Sequence, residues 1–356
     1  MHLAELLALR STPGAGVSIG VTRRCPLNCA HCATNSTMTS EEAPAELFLR
    51  FVDSFTEECH PEVLALSGGE AFLRPELVRQ LAHRARAVGC HPTALSGMFW
   101  ARGSTIPPAI RRAIDELDHF SASLDIFHEM EVPRESVFRV LETLLAEGKD
   151  VSIHLVGLNA TDPYITATSG EVMRRFGTQV PMLVNGVTPR GRARKWLEQP
   201  AGATPASFQA DPCGLAGWPV VAFDGTVVAC GNDDVVDGPA PAHLRVGHVA
   251  TDSWPELFAR LVESNLLRAI RTFGPEYVND RQGSGVVACT GYCETCQNLS
   301  ADPQLAGNVA VLMSRRTTAT LEQQIGRAEQ LAGPESFIRR YGEPAFAHLV
   351  SLGAPA

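Results

Sequence analysis

Three cysteines near the start of the chain, Cys25, Cys29 and Cys32, have the spacing C-x3-C-x2-C. Thiolates are the usual ligands of iron–sulfur clusters, and a [4Fe–4S] cluster normally takes four of them. Three thiolates from one short loop would leave one iron free to bind a substrate or cofactor. Taken alone, the triplet leaves a zinc knuckle or a chance spacing open as alternatives.

A second motif, Gly68-Gly69-Glu70, follows the apolar run 63–66, which predicts a buried strand. Paired glycines at the end of a strand expose backbone groups and permit the close approach of a ligand. The carboxylate of Glu70 could hold an ammonium group. Most Gly-Gly-Glu sequences are only turns before a helix, but the position of this one after the cysteine triplet favours a ligand site.

The two motifs together resemble those of the radical S-adenosylmethionine (SAM) superfamily. The resemblance implies that the three cysteines hold a [4Fe–4S] cluster whose open iron is chelated by SAM. It also implies that Gly68, Gly69 and Glu70 bind the methionyl amine of SAM and that His31 lies beside its adenine. In that family, reductive cleavage of SAM gives methionine and a 5′-deoxyadenosyl radical, which abstracts a hydrogen atom from the substrate. The cofactors supply the chemistry, while the protein orients them and excludes water.

Composition excludes several other classes of protein. The chain has 356 residues, 45% of them hydrophobic, which is enough for one large domain and a smaller one. Its formal net charge of −9 argues against nucleic-acid binding. We expect no signal peptide and no membrane span, because residues 1–7 lack a charged leader and no apolar stretch is long enough. Ten cysteines without an export signal indicate a reducing, cytoplasmic location and metal ligands instead of disulfides.

The strands and helices around these motifs can be predicted from the hydrophobic pattern, in which short apolar runs alternate with amphipathic segments. The predicted strands are 16–21, 62–67, 91–96, 118–124, 150–157 and 179–185. The predicted helices are 41–58, 74–88, 106–116, 134–147 and 167–177. This α/β alternation predicts parallel strands with right-handed crossovers, in an open, partial (β/α)6 barrel like a TIM barrel. The radical SAM core has that fold, and both motifs follow strands at the end where α/β folds keep their active sites.

Beyond this core, predicted to span 1–197, residues 198–212 are rich in Pro, Ala and Gly and predict a linker. Two apolar runs around Asp224-Gly225 then predict a β-hairpin. The cysteines of this region are Cys213, Cys230, Cys289, Cys293 and Cys296. Residues 301–356 predict a helical tail, with helices near 318–331 and 335–350, to which the sequence assigns no chemistry.

The hairpin and its cysteines resemble the C-terminal auxiliary-cluster domains named SPASM and, in a shorter form, Twitch, with the domain at 213–300. A full SPASM domain has seven cysteines for two clusters, whereas five can fill one. The resemblance therefore implies one auxiliary [4Fe–4S] cluster on Cys213, Cys230, Cys293 and Cys296, with Cys289 as a rival or extra ligand. A structural zinc site with four thiolate ligands is the alternative, since spacing alone cannot distinguish zinc from iron.

Other polar residues are candidates by the same resemblance. Ser123 would bind the ribose of SAM, Asp125 would shape the substrate side, and Arg134 would lie near the SAM carboxylate. Asp233 and Asp234 follow the second auxiliary cysteine, and either could accept a proton after hydrogen abstraction. The basic run 190–195 is either a solvated surface or a contact for a substrate carboxylate.

The sequence thus predicts a radical SAM oxidoreductase that modifies or crosslinks a residue of a ribosomally made peptide by oxidation, as in natural product biosynthesis. Only 24 residues precede Cys25, so we expect a separate leader-peptide-binding protein or none. An electron donor such as flavodoxin or ferredoxin is also implied. The alternatives are a dehydrogenase, epimerase or decarboxylase of a sugar, aminocyclitol or other small metabolite, and a non-catalytic metal-binding protein.

Overall fold

The computed structural model describes residues 1–198, 209–288 and 291–355. Its strands are β1 (Gly16–Gly20), β2 (Val63–Ser67), β3 (His91–Ser96), β4 (His119–Leu124), β5 (Asp150–Gly157), β6 (Met182–Gly186), β7 (Val220–Val221), β8 (Thr226–Val228) and β9 (Arg245–His248). They form one sheet in the order β6-β5-β4-β3-β2-β1-β7-β8-β9. Strands β1 to β6 pair in parallel, which confirms the predicted α/β fold class.

Helices lie between the parallel strands and continue beyond them. They are α1 (Leu3–Ala8), α2 (Ala45–Val52), α3 (Pro75–Ala87), α4 (Pro108–Asp115), α5 (Ile126–Glu129), α6 (Arg134–Ala146), α7 (Pro163–Phe176), α8 (Asp233–Val236), α9 (Trp254–Glu263), α10 (Asn265–Phe273), α11 (Pro275–Gln282), α12 (Tyr292–Asn298), α13 (Leu305–Met313) and α14 (Arg316–Tyr341). The five predicted crossover helices correspond to α2, α3, α4, α6 and α7. No helix within the described ranges has the length and apolar character to cross a membrane.

The two faces of the parallel sheet differ in polarity because successive side chains of a strand point to opposite faces. On one face, Ile19, Leu64 and Phe120 are fully or almost fully buried in the main hydrophobic core. The other face of β4 and β5 is polar, and the hydroxyls of Ser121 and Ser152 lie 2.6 Å apart. A polar interior is what an α/β barrel needs if its open end is to hold a polar ligand.

The predicted hairpin is present, but it belongs to the same sheet as the core. Strand β7 pairs in parallel with β1 and antiparallel with β8. Gly225 makes the turn with a φ of 93°, a conformation that favours glycine. The region predicted as an auxiliary domain is therefore joined to the barrel edge by backbone hydrogen bonds.

The C-terminal segment differs from its prediction. Helix α14 runs on to Tyr341 through a kink at Gly333, which has a φ of 73° and precedes Pro334. The predicted second helix therefore begins as the end of α14, and residues Pro344–Ser351 form a 3-10 helix. This segment packs on α1 in a small apolar cluster that comprises Leu3, Leu7, Ile338, Ala347 and Val350.

Candidate functional site: a polar cavity and a cysteine-lined cavity

A cavity of about 880 Å³, the barrel cavity, lies at the carboxyl ends of the parallel strands. It brings together residues that follow all six of those strands, including both sequence motifs. The candidate site residues from the sequence that line this cavity are Cys25, Cys29, His31, Cys32, Gly68, Gly69, Ser123, Asp125, Asp233 and Cys293. The convergence follows from the topology, because parallel strands all end at the same edge of a sheet.

The three cysteines lie on the loop of residues 21–44, the cluster loop, between β1 and α2. Arg192, in the segment after β6, forms hydrogen bonds to this loop. Its Nε donates to the carbonyl of Cys29 and its Nη1 to the carbonyl of Ser36, both at 2.7 Å. The backbone N–H of Arg192 donates to the carbonyl of Cys32 at 2.9 Å. A Cβ on Gly191 would lie 2.3 Å from that same carbonyl oxygen. Within the basic run, Arg192 thus stabilises the cluster loop, a role that the sequence did not reveal.

The glycine pair packs directly against the start of the cluster loop. The N–H of Gly69 donates to the carbonyl of Thr22 at 2.8 Å, and the N–H of Glu70 donates to that of Arg24 at 2.9 Å. A Cβ on Gly68 would lie 2.3 Å from the Thr22 oxygen, and one on Gly69 would lie 2.4 Å from the Arg24 oxygen. Only glycine allows the two segments to approach this closely, so the motif joins the end of β2 to the cysteine loop.

Glu70 itself is turned away from the barrel cavity and is not among its described lining residues. Its buried carboxylate accepts hydrogen bonds from the N–H of Phe72 (3.0 Å), the hydroxyl of Ser96 (3.0 Å) and the N–H of Gly97 (2.9 Å). Burial raises the pKa of Glu70 to about 7, although these hydrogen bonds act to lower it. Glu70 therefore connects the end of β2 to the end of β3 through its hydrogen bonds with Ser96 and Gly97.

Asp125 follows β4 and organises two histidines beside the cysteines. One of its oxygens caps α5 by accepting from the N–H groups of Phe127 and His128, and the other accepts from Nδ1 of His128. Nε2 of His31 lies 3.4 Å from that second oxygen, and its ring stacks on Phe127. Burial acts to lower the pKa of His128, but hydrogen bonds to Asp125 and Cys29 outweigh this effect and raise the pKa to about 10. His128, which sequence reasoning missed, thus lies between Asp125 and Cys29, one of the three predicted cluster ligands.

Arg134 is not brought to the barrel cavity. Its guanidinium forms ion pairs with Glu129 and Glu171 and lies over the ring of Tyr164. The predicted contact with the SAM carboxylate is therefore not supported by its position. Ser123, in contrast, lines the cavity as expected.

The two aspartates after Cys230 begin α8 and differ in their surroundings. Asp233 lines the barrel cavity, lies 3.5 Å from Nη1 of Arg190, and has its pKa raised by burial. Asp234 is more exposed and pairs with Arg194 at 3.0 Å. Of the two candidate bases, Asp233 is the one that faces the cavity.

A second cavity, of about 310 Å³, is lined by the thiols of Cys213, Cys230, Cys293 and Cys296. Cys293 and Cys296 share one face of α12, since they are three residues apart on a helix. Cys289 lies outside the described residues. Leu215, Asn232, Cys293 and Tyr341 line this cysteine cavity and the barrel cavity alike, so the two adjoin.

The donor chemistry of both cysteine sets fits a metal cluster. Burial raises the pKa of Cys25 and of Cys230 to about 12 and that of Cys296 well above its ordinary value. A thiolate at such positions needs a compensating positive charge, which a bound metal supplies. The described cysteines of both sets are free thiols.

Comparisons with known proteins agree with this reading of the barrel. The model of the radical SAM superfamily matches residues 19–169, which include the cluster loop and the glycine pair. This part of the chain is therefore similar to a radical SAM domain.

The similar proteins include a "putative peptide biosynthesis protein", YydG, of Bacillus subtilis (strain 168). It is 26% identical over 129 residues, which make up 35% of this chain and 40% of YydG. The chain thus matches less than half the length of this curated relative. Solved structures include anSMEcpe with bound AdoMet (12% identity, TM-score 0.49, covering 90% of this chain and 99% of that one). Another is Streptococcus suis SuiB bound to precursor peptide SuiA (10% identity, TM-score 0.47, covering 83% of this chain and 74% of that one).

Proposed function

We propose that this protein is a radical SAM oxidoreductase that oxidises a residue of a ribosomally made peptide with the help of one auxiliary [4Fe–4S] cluster. The observation that carries the proposal is the adjacency of the two cavities, one with the cysteine triplet and one with four thiols. The name of YydG, a putative peptide biosynthesis protein, supports a peptide as the substrate.

Three groups of residues would hold the cofactors. Cys25, Cys29 and Cys32 would bind the first cluster, and the backbone of Gly68 and Gly69 would face the methionyl part of SAM. His31 and Ser123 would contact its adenine and ribose. When bound, the cluster and SAM together supply the radical that abstracts a hydrogen atom.

An oxidation removes two hydrogen atoms from the substrate, the second of them as a proton and an electron. Asp233 would take that proton, because it lines the barrel cavity and the nearby Arg190 favours its ionised form. The electron would pass to the auxiliary cluster on Cys213, Cys230, Cys293 and Cys296. Asp125 is a poor base here, because its oxygens are occupied by the α5 N–H groups and His128.

The test begins with anaerobically reconstituted protein, dithionite and SAM. The wild type should hold iron and sulfide for two clusters and release 5′-deoxyadenosine slowly without substrate. Changing Cys25, Cys29 and Cys32 together to Ala should leave one cluster and stop SAM cleavage. Full iron content in that triple variant would contradict the assignment of the first cluster.

Two further variants separate SAM cleavage from oxidation. With a short peptide encoded beside the gene, the wild type should give a product lighter by two hydrogen atoms. The variant with both Cys293→Ala and Cys296→Ala, and the variant Asp233→Asn, should still release 5′-deoxyadenosine but make no such product. Circular dichroism must show that they fold, because cluster ligands also stabilise their domain. One cluster plus a zinc ion in the wild type would establish the zinc alternative, and product from a small metabolite alone would exclude the peptide.

A further inference from the structure

The charged side chains of the barrel cavity are almost all neutralised by a neighbour. Arg190 pairs with Asp233, Arg192 binds carbonyls of the cluster loop, and Asp125 binds both His31 and His128. Glu343 is the exception among the described charged side chains that line the cavity, because its carboxylate has no hydrogen bond or ion pair with another described residue. Burying part of a charged carboxylate without a partner is unfavourable in free energy, and burial accordingly raises the pKa of Glu343.

Glu343 is held in place by its backbone and by the residues before it. Its N–H donates to the carbonyl of Val184 on β6 at 3.0 Å. The hydroxyl of Tyr341 accepts from the N–H of Gly214, beside the cysteine cavity, at 2.7 Å. Arg340 forms an ion pair with Asp211. The segment 340–343 thus links the end of β6 to the cysteine cavity.

The Glu343 carboxylate occupies a space that exists because Gly186, at the end of β6, has no side chain. Oε1 of Glu343 lies 2.6 Å from where a Cβ on Gly186 would be, so the carboxylate occupies the space above this glycine. Next to it on the sheet, Asn185 and His154 are hydrogen-bonded to each other at 2.7 Å. Burial lowers the pKa of His154 to about 4, so this neighbour is neutral and supplies no charge to Glu343.

We propose that Glu343 is a specificity-determining residue that binds a cationic group of the substrate, the ammonium of a lysine or the guanidinium of an arginine. The inference rests on the proposed function, because the barrel cavity is taken as the substrate site. The tail that seemed to carry no chemistry in the sequence would then complete the site on the side of β6.

Binding of model peptides tests the proposal without turnover. The probes are acetyl-Gly-Lys-Gly-amide, acetyl-Gly-Gln-Gly-amide and acetyl-Gly-Glu-Gly-amide, titrated by NMR into reconstituted, SAM-loaded protein. The wild type should bind the lysine peptide about tenfold more tightly than the glutamine peptide, as for a charge-assisted hydrogen bond in a partly buried site. Glu343→Gln should remove that preference, and Glu343→Lys should transfer it to the glutamate peptide.

Two other variants serve as references. Glu263→Gln changes an exposed carboxylate at the end of α9 and should keep the wild-type preference. Gly186→Ala would place a methyl group where the Glu343 carboxylate lies and should weaken the preference. Glu343→Gln keeps the side-chain shape and the backbone bond to Val184, and circular dichroism would verify its fold.

Equal wild-type binding of the lysine and glutamine peptides would overturn the inference, and so would a preference that survives in Glu343→Gln. A loss of SAM affinity in Glu343→Gln would also overturn it, since the carboxylate would then serve the cofactor. The proposed function has a separate readout in 5′-deoxyadenosine. A wild type that prefers the lysine peptide but never cleaves SAM would contradict the proposed function and leave the role of Glu343 standing.

Discussion

Replacing Arg192 with alanine should loosen the cluster loop without unfolding the protein. The guanidinium donates to the carbonyls of Cys29 and Ser36 at 2.7 Å each, which are short hydrogen bonds from a charged donor. Such a bond contributes about 1.5–3 kcal/mol. Because water can replace part of this at a half-buried site, we expect the loop to lose roughly 2–3 kcal/mol in total. That corresponds to an equilibrium constant for local opening of the loop that is about 30- to 160-fold larger than in the wild type.

The assay is hydrogen–deuterium exchange of the backbone amides of residues 22–37 in the metal-free protein, which reports local opening directly. The reconstituted protein offers a second measurement, the rate at which a chelator removes iron. Both rates should rise in Arg192→Ala by approximately the factor given above, while amides of β4 and β5 exchange as in the wild type.

Arg194→Ala is the matched control, because Arg194 is an exposed arginine two residues away that pairs only with Asp234 among the described side chains. Exposed ion pairs contribute little, so cluster-loop exchange in this variant should stay within about twofold of the wild type. The reasoning would be refuted if Arg192→Ala exchanged like the wild type, or if Arg194→Ala loosened the loop equally.

Two more predictions concern Glu70 and Arg134, whose contacts in the structure differ from those expected from the sequence. The pKa of Glu70 is about 7 in the folded protein, against 4.5 for the free side chain. The folded state therefore binds this proton more tightly than the unfolded state does. The free energy of unfolding should consequently fall by about 3 kcal/mol as the pH rises from 4.5 to 7. The measurement is urea unfolding of the metal-free wild type and of Glu70→Gln at several pH values. The difference between their free energies of unfolding should shrink towards pH 4.5, and a difference that does not change with pH would refute the prediction. Arg134→Ala should lower the melting temperature, through loss of the pairs with Glu129 and Glu171, but leave the SAM dissociation constant within about twofold. A tenfold weaker SAM affinity by equilibrium dialysis would restore the role that the sequence predicted.

The α/β barrel and the location of its site could both be predicted from local sequence patterns. The alternation of apolar runs and amphipathic segments predicted all six parallel strands, because burial imposes a period that can be read locally. The cysteine triplet and the glycine pair could be placed at one end of the sheet, since parallel strands share a direction. These features depend on spacing within short segments, which a sequence displays.

Which charged side chains have partners, in contrast, depends on how distant segments of the chain pack together. Glu70 is occupied by Ser96 and Gly97, and Arg134 by Glu129 and Glu171. Arg192 and Cys29 are 163 residues apart in the chain and yet hydrogen-bonded. Whether a carboxylate or guanidinium meets a partner depends on strand register and on which elements pack together, and neither is encoded in a local pattern. Glu343 shows this most clearly, because it is unremarkable in the sequence and faces the barrel cavity only once the C-terminal segment pairs with β6.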